Sequence, residues 1–304
     1  MNGGRVVVVG DLMVDVAATA RTPVLRGSDA PATVRFRGGG SGANVAAWLA
    51  EDGVPVTLVT RVGDDPAGRA DCAALRARGV DVRVAVDPDA PTGTCITVIE
   101  PDGERTFLPD RGANLGLTPA DLPLEVFTPD AHLHLSGYVL LDADAPARAA
   151  GLAALRKAKD LGMSISVDPA SSGPLHALGV QTFLDWVAGV QTLLPNATEL
   201  VTLTGETDPE RAAGLLRTAA WAQEVVVTLG RDGALFRDGL QTACAPAAPL
   251  TPGVAADSTG AGDAFAAAWL AARRSGAGPD EALAAACARG SQVVGLAGAR
   301  PAPG

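Results

Sequence analysis

Asp257-Ser258-Thr259-Gly260-Ala261-Gly262-Asp263-Ala264-Phe265 is the stretch on which the reading of this chain turns. A glycine-rich turn runs straight into an apolar, alanine-rich segment, and the pattern predicts a helix with an acid at its start. Small residues let backbone N–H groups approach an anion closely, and the helix dipole favours negative charge at that end. A carboxylate in the same place can take a proton from an attacking hydroxyl. The combination suits phosphoryl transfer to an alcohol, a reaction carried by positioning and charge stabilisation. The plainer reading is a helix N-terminus with Ser258 or Thr259 as cap and Asp263 on the dipole. The pairing of Asp257 with Asp263 argues against it, since one acid can hold a cation or the loop while the other faces the acceptor.

Composition narrows the class. The 304 residues are 47% hydrophobic and 19% charged, as in an ordinary globular chain with a large core. A net charge of −10 disfavours nucleic acids and membrane surfaces as partners. An anionic substrate would then need backbone dipoles or a metal ion. Only Lys157 and Lys159 supply lysines. Cys72, Cys95, Cys244 and Cys287 form no CxxC pair and are expected to be reduced, mostly buried thiols of a cytoplasmic protein. The valine run after Arg5 is too short for a signal h-region, and no stretch reaches the roughly 18 apolar residues of a membrane span.

Outward from the turn, the chain alternates strand-like and helical segments. Arg5–Val9 reads as a buried parallel strand, followed by strands at Val56–Val62, His132–Leu135, Ser164–Val167, Thr192–Leu194 and Glu224–Thr228. Helical stretches lie between them, notably Val45–Glu51, Ala67–Arg78, Ala145–Lys159 and Pro209–Ala222. The repeat implies an α/β fold with a mainly parallel sheet covered on both faces. Two parts break it. Residues 16–36 are irregular with short β-like runs, and Thr94–Glu100 with Arg105–Pro109 flank an Asp102-Gly103 hairpin signal. They are read as a small inserted β appendage.

Five further constellations carry chemistry. Gly38–Asn44 is a glycine-rich turn where an extended ligand can lie on backbone and Asn44 can address hydroxyls; an ordinary strand-to-helix turn fits too. Asp15, past the first strand, can accept two sugar hydroxyls or serve as a loop acid, with Asp11 ranked below it. Asn196 and Glu199 sit one helical turn apart, able to hold the water shell of Mg2+ or to cap a helix. Thr228, Gly230 and Gly233 surround a turn that can admit a nucleotide or close a hairpin. His132 and His134 share a strand face but lack a third metal ligand. Neither GxGxxG nor GxxxxGK[ST] occurs, and Gly39–Gly42 misses the G-x-S-x-G elbow, which disfavours dinucleotide, P-loop and hydrolase readings.

In this order the segments resemble the ribokinase-like (PfkB) carbohydrate kinase family over nearly the whole chain. Gly39–Asn44 is similar to its N-terminal sugar signature and Asp257–Asp263 to its C-terminal one. Asn196–Glu199 resembles its N-x-x-E motif, Thr228–Gly230 with Gly233 its nucleotide loop, and Arg61–Asp65 with Gly68 another common segment. The resemblance implies a three-layer α/β/α core (1–11, 37–92 and 112–304) and a β lid over the sugar site (12–36 and 93–111). It implies Asp263 as general base and Gly260, Ala261 and Gly262 as the anion hole. Asp15, Gly39, Gly40 and Asn44 would hold the sugar, Thr228, Gly230, Gly233 and Asn196 would lie along ATP, and Glu199 would act on Mg2+ through water.

Asp257 and the Thr259 carbonyl match part of a K+ site found in some relatives, with Gly298 a third contributor. Relatives also dimerise through the lid. Ribokinase has a sugar-contacting Glu where this chain reads Ser136-Gly137-Tyr138, so ribose is in question. Arg105 and Arg111 of the lid can face a carboxylate, as in a 2-keto-3-deoxygluconate kinase, while Tyr138 and Phe107 can stack on a nucleoside base. A non-catalytic sugar- or nucleotide-binding regulator on the same fold is the remaining class.

Overall fold

A computed structural model of the chain describes residues 4–102, 104–250, 258–294 and 298–302. Among the described residues thirteen strands form two sheets. The larger contains β1 (Val6–Val9), β4 (Val56–Gly63), β5 (Asp81–Asp87), β8 (His132–Ser136), β9 (Ser164–Asp168), β10 (Val190–Leu193), β11 (Ala222–Thr228), β12 (Ala234–Arg237) and β13 (Thr242–Ala245). Its order is β13-β12-β11-β10-β9-β8-β1-β4-β5, parallel except for the β11–β12–β13 meander. The smaller sheet, β3-β2-β6-β7, contains β2 (Met13–Ala20), β3 (Ala32–Gly39), β6 (Gly93–Ile99) and β7 (Arg105–Asp110).

The four valines of β1 fit an interior strand, paired on one side with β8 and on the other with β4. All are fully buried, and they alternate between two cores, Val7 and Val9 into one and Val6 and Val8 into the other. Each side chain contributes on the order of 1.5–3 kcal/mol of burial. The first core packs α4 (Pro146–Asp160), α6 (Val180–Val187), α7 (Ala197–Thr204) and α8 (Pro209–Thr218) on the sheet, joined by the shorter α3 (Tyr138–Leu141) and α5 (Ser172–Leu178). The second packs α1 (Ser41–Glu51), α2 (Pro66–Ala77), α9 (Ala261–Arg274) and α10 (Pro279–Val294) on the opposite face. No helix among the described residues is long and apolar enough to cross a membrane.

Several local expectations are revised. The short β-like runs within residues 16–36 belong to two paired eight-residue strands, 16–20 to β2 and 32–36 to β3, with 21–31 the connection between them, and β3 runs on to Gly39. Their sequences mix β-favouring Val, Thr and Phe with Ala, Asp, Arg and Gly; β2 is held by β6, some eighty residues away. Gly38 and Gly39 therefore end a strand, and α1 starts at Ser41 rather than Val45. The helix expected to reach Ala222 stops at Thr218, and Ala222 opens β11. Strand β5 and the β12–β13 hairpin were not foreseen. All four cysteines are free, as expected, but only Cys72 and Cys287 are buried, and Cys244 is exposed.

Candidate active site

The carboxyl ends of the parallel strands open onto a cavity of about 470 Å³. Asp11 follows β1, Asp168 ends β9, Asn196 follows β10 and Thr228 ends β11, and all four line it. The smaller sheet, expected as the lid, borders the other side. Register places Asp15, Cys95 and Pro109 in one cross-strand row, and these three line the cavity. Arg111 and Tyr138 complete the wall, with the guanidinium 4.7 Å from the ring centroid.

The glycines of Gly38–Gly42 act by allowing close approach. A Cβ on Gly39 would stand 2.3 Å from the Asp15 carboxylate. Gly40 has φ +88°, and a Cβ there would meet the Asp11 carbonyl at 2.6 Å. A Cβ on Gly42 would lie 2.7 Å from the Cα of Gly10, so the start of α1 packs directly on the end of β1. Asp11 Oδ1 accepts from Gly42 N at 3.3 Å.

The start of α9 faces the same cavity. Gly260 is its N-cap residue in the left-handed region, φ +78°, and a glycine there brings no side-chain cap of its own. The N-cap position that the plain reading gave to Ser258 or Thr259 is taken by Gly260. Gly260, Gly262 and Asp263 line the cavity, whereas Ala261 does not, and its N–H donates to the Ser258 carbonyl at 3.1 Å. Asp263 accepts from Ser41 Oγ at Oδ1 and from Asn44 Nδ2 at Oδ2, both at 2.8 Å. Desolvation, with the charges of Asp168 and Asp11 adding to it, pushes the Asp263 carboxyl up to about 7 against these two hydrogen bonds.

Asp168 is likewise raised to about 7, first by desolvation and then by Glu199. Sequence reading missed it: a strand-final Asp before Pro169 carries no motif. Glu199 is buried and raised by that burial. It forms a reciprocal capping box with Asn196: Glu199 N donates to Asn196 Oδ1, while Asn196 N and Nδ2 donate to the Glu199 carboxylate at 2.9 and 2.6 Å. The capping reading is therefore met, yet both residues also line the cavity. With both Glu199 oxygens engaged, the pair suits Mg2+ held through water rather than ligated directly. Among the described residues no group of three or more metal-binding side chains stands together.

Other expected residues fall elsewhere. Gly39 is buried behind the wall and does not line the cavity. Gly230 and Gly233 shape the β11–β12 turn outside it; a Cβ on Gly233, φ +92°, would strike the Ala245 carbonyl. Arg105 shares the lid face with Pro109 but lies four residues, about 13 Å, further along β7 and is not part of the lining. Arg111 takes the position foreseen for either arginine. Asp257 lies outside the described residues, so the K+ expectation is left with Thr259, on the cavity wall, and Gly298. His132 and His134 are buried against Ser164 and Ser166 in the sheet, and Phe107 is exposed on the lid. Asp65 caps α2 through Gly68 N and accepts from Thr92, which explains the Asp65–Gly68 spacing structurally.

Residues 4–303 match the family model described as pfkB family carbohydrate kinase. An ATP-dependent ribose-1-phosphate kinase of Halopiger xanaduensis is 31% identical over 98% of this chain and 95% of its own. A fructokinase of Klebsiella pneumoniae is 32% identical over 93% of this chain and 89% of its own. An E. coli structure assigned as ribokinase II, in complex with ATP and Mg2+, superposes with a TM-score of 0.86 at 25% identity, covering 97% of this chain and 94% of the other.

Proposed function

The chain belongs to the pfkB family of carbohydrate kinases, and from that premise we propose that Asp263 is the base of an ATP-dependent phosphorylation of a sugar hydroxyl. The observation that carries this reading is the half-buried Asp263 carboxyl, raised to about 7, in the first turn of a helix whose N-cap is a glycine, on the same cavity wall. Asp263 takes the hydroxyl proton as the oxygen attacks the γ-phosphorus, the bond to the β,γ-bridging oxygen breaks, and ADP leaves. Main-chain amides of Gly260 and Gly262 steady the charge on the transferred group. Asp15 and Asn44 hold the acceptor sugar beneath the lid. Asn196, Glu199 and Asp168 would hold Mg2+ through water, and the ion would neutralise phosphate charge when bound. Thr228 lies toward the nucleotide, and a K+ ion beside Asp257 and Thr259 would add positive potential behind the amides.

The cavity wall is rich in acids, with Asp11, Asp15, Asp142, Asp168, Glu199 and Asp263 against one arginine, Arg111. Arg111 Nε is buried 3.4 Å from Asp142 Oδ2 but makes no hydrogen bond. That guanidinium favours an acceptor bearing a phosphate or carboxylate, in keeping with the ribose-1-phosphate kinase among the relatives. The lid's outer row places the exposed apolar side chains of Phe36, Ile96 and Leu108 beside a half-buried Val16 on the face away from the cavity and supports a homodimer through that face. A cytoplasmic enzyme fits the free thiols. The test is ADP release from Mg·ATP across neutral sugars, sugar acids, sugar phosphates and nucleosides. Turnover with one class identifies the acceptor; ligand-induced stabilisation without ADP from any of them would replace the kinase with a regulator.

A further inference from the structure

We infer that Arg300, 256 residues from Asn44 in sequence, is a positioning residue that locks the Asn44 amide with its NH2 toward Asp263. Arg300 Nε donates to Asn44 Oδ1 at 3.0 Å, and Asn44 Nδ2 donates to Asp263 Oδ2 at 2.8 Å. A guanidinium has only donors, so the amide atom facing it must be the oxygen. One hydrogen of the nitrogen is then committed to the carboxylate, leaving the second for the acceptor. Turning the amide over would oppose donor to donor and oxygen to oxygen at once.

Arg300 is itself held rigidly. Nη1 and Nη2 pair with the two oxygens of Asp71 on α2 at 2.7 and 3.0 Å, and Nη2 also donates to the Gly39 carbonyl. Both side chains of the pair are about 10% exposed. Gly38 makes room for them, since a Cβ there would stand 2.3 Å from Asp71 and 2.4 Å from Arg300. The segment 298–302 is pinned on both sides of Arg300, by Trp48 Nε1 to the Ala299 carbonyl at 2.9 Å and by Arg78 Nη2 to the Pro301 carbonyl at 2.8 Å. Ala299 in turn fills the space beside Gly260, where a Cβ would collide with it at 2.4 Å. One short segment therefore sets both the amide that addresses the base and the glycine at the helix start.

The inference rests on Asp263 being the base, and the experiment separates the two. The groups facing Asp263 are Ser41 and Asn44 on α1, Asp11 after β1, Asp168 at the end of β9 and Tyr138 at the start of α3. Arg300 reaches it only through Asn44. Asp263→Asn is measured first, with the acceptor that gives most ADP; retention of the native kcat would remove the base and this inference with it. Asp71→Asn with Arg300→Met removes the ion pair whole, leaving no unpaired buried charge. In the Asn44-bearing enzyme the double change is expected to lower kcat about tenfold and move the acidic limb of kcat/KM to higher pH, with ATP KM unchanged. In an Asn44→Ala background the same change should alter kcat less than about twofold. Arg300→Lys keeps a charge beside Asp71 but not the planar fork, and should fold without recovering kcat, which keeps the inference testable if the double variant is unstable. An equal loss in both backgrounds, an unmoved acidic limb, or full activity in Arg300→Lys would overturn it.

Discussion

Asp263→Asn removes one negative charge while keeping the shape of the side chain. Asn44 Nδ2 can still donate to the new amide oxygen, and Ser41 Oγ can turn its hydroxyl away and accept from the new NH2. The geometry is then kept and the base is lost. A general base is worth about 10²–10⁴ in rate, or about 2.7–5.5 kcal/mol at 1.36 kcal/mol per decade. We expect kcat to fall by that factor with the ATP KM nearly unchanged. A second, independent consequence concerns stability. The folded carboxyl sits near 7, against an ordinary 3.8. Folding therefore takes up a proton between these values, and the native enzyme loses stability as pH rises through that window. The full shift corresponds to a ceiling of about 4 kcal/mol; partial exposure through the cavity reduces the expected share to about 1–2 kcal/mol. Asparagine cannot ionise, so the variant should melt several degrees above the native enzyme at pH 8 and close to it at pH 4, near the ordinary carboxylate value. Steady-state ADP release gives the first quantity and thermal melts at the two pH values the second. An unchanged kcat refutes the base assignment, and an equal melting shift at both pH values refutes the account of its burial.

Four other outcomes follow from the same geometry. For the free enzyme, kcat/KM should fall below about pH 7, because Asp263 acts only when ionised; Asp168 titrates in the same range, so the limb belongs to the pair, and Asp168→Asn should shift it to lower pH. Asp15→Ala should raise the acceptor KM by about tenfold or more and leave the ATP KM alone; a change in the ATP KM alone would reassign Asp15. Arg111→Met should cost about 10–100-fold in kcat/KM for an acidic acceptor and little for a neutral one, read from competition between the two. Phe36→Glu should shift any dimer toward monomer in analytical ultracentrifugation, since Phe36 is 72% exposed on the lid's outer row.

Much of the architecture is legible locally because buried parallel strands announce themselves as short apolar runs. Val6–Val9 is the plainest case, and glycines or prolines marked most helix ends. The lid strands were legible only in part: β6 and β7 bracket an Asp-Gly signal, whereas β2 and β3 owe their form to pairing across the sheet. Asp263 and Asn44 stand in glycine-rich motifs and could be named from them. Asp168 and Arg300 could not, because a lone strand-final acid and an arginine near the end of the chain look like any solvated charge.

Residue order alone therefore determined the layered α/β class and singled out two glycine-rich segments as the candidate site, since both depend on neighbours within a few positions. Folding decided which atoms meet: Asn44 with Asp263 across 219 residues, Arg300 with Asn44 across 256, and Asp168 beside Glu199. The pKa of a base and the direction of an amide depend on distance and desolvation in space, and neither quantity exists until the chain has closed around them.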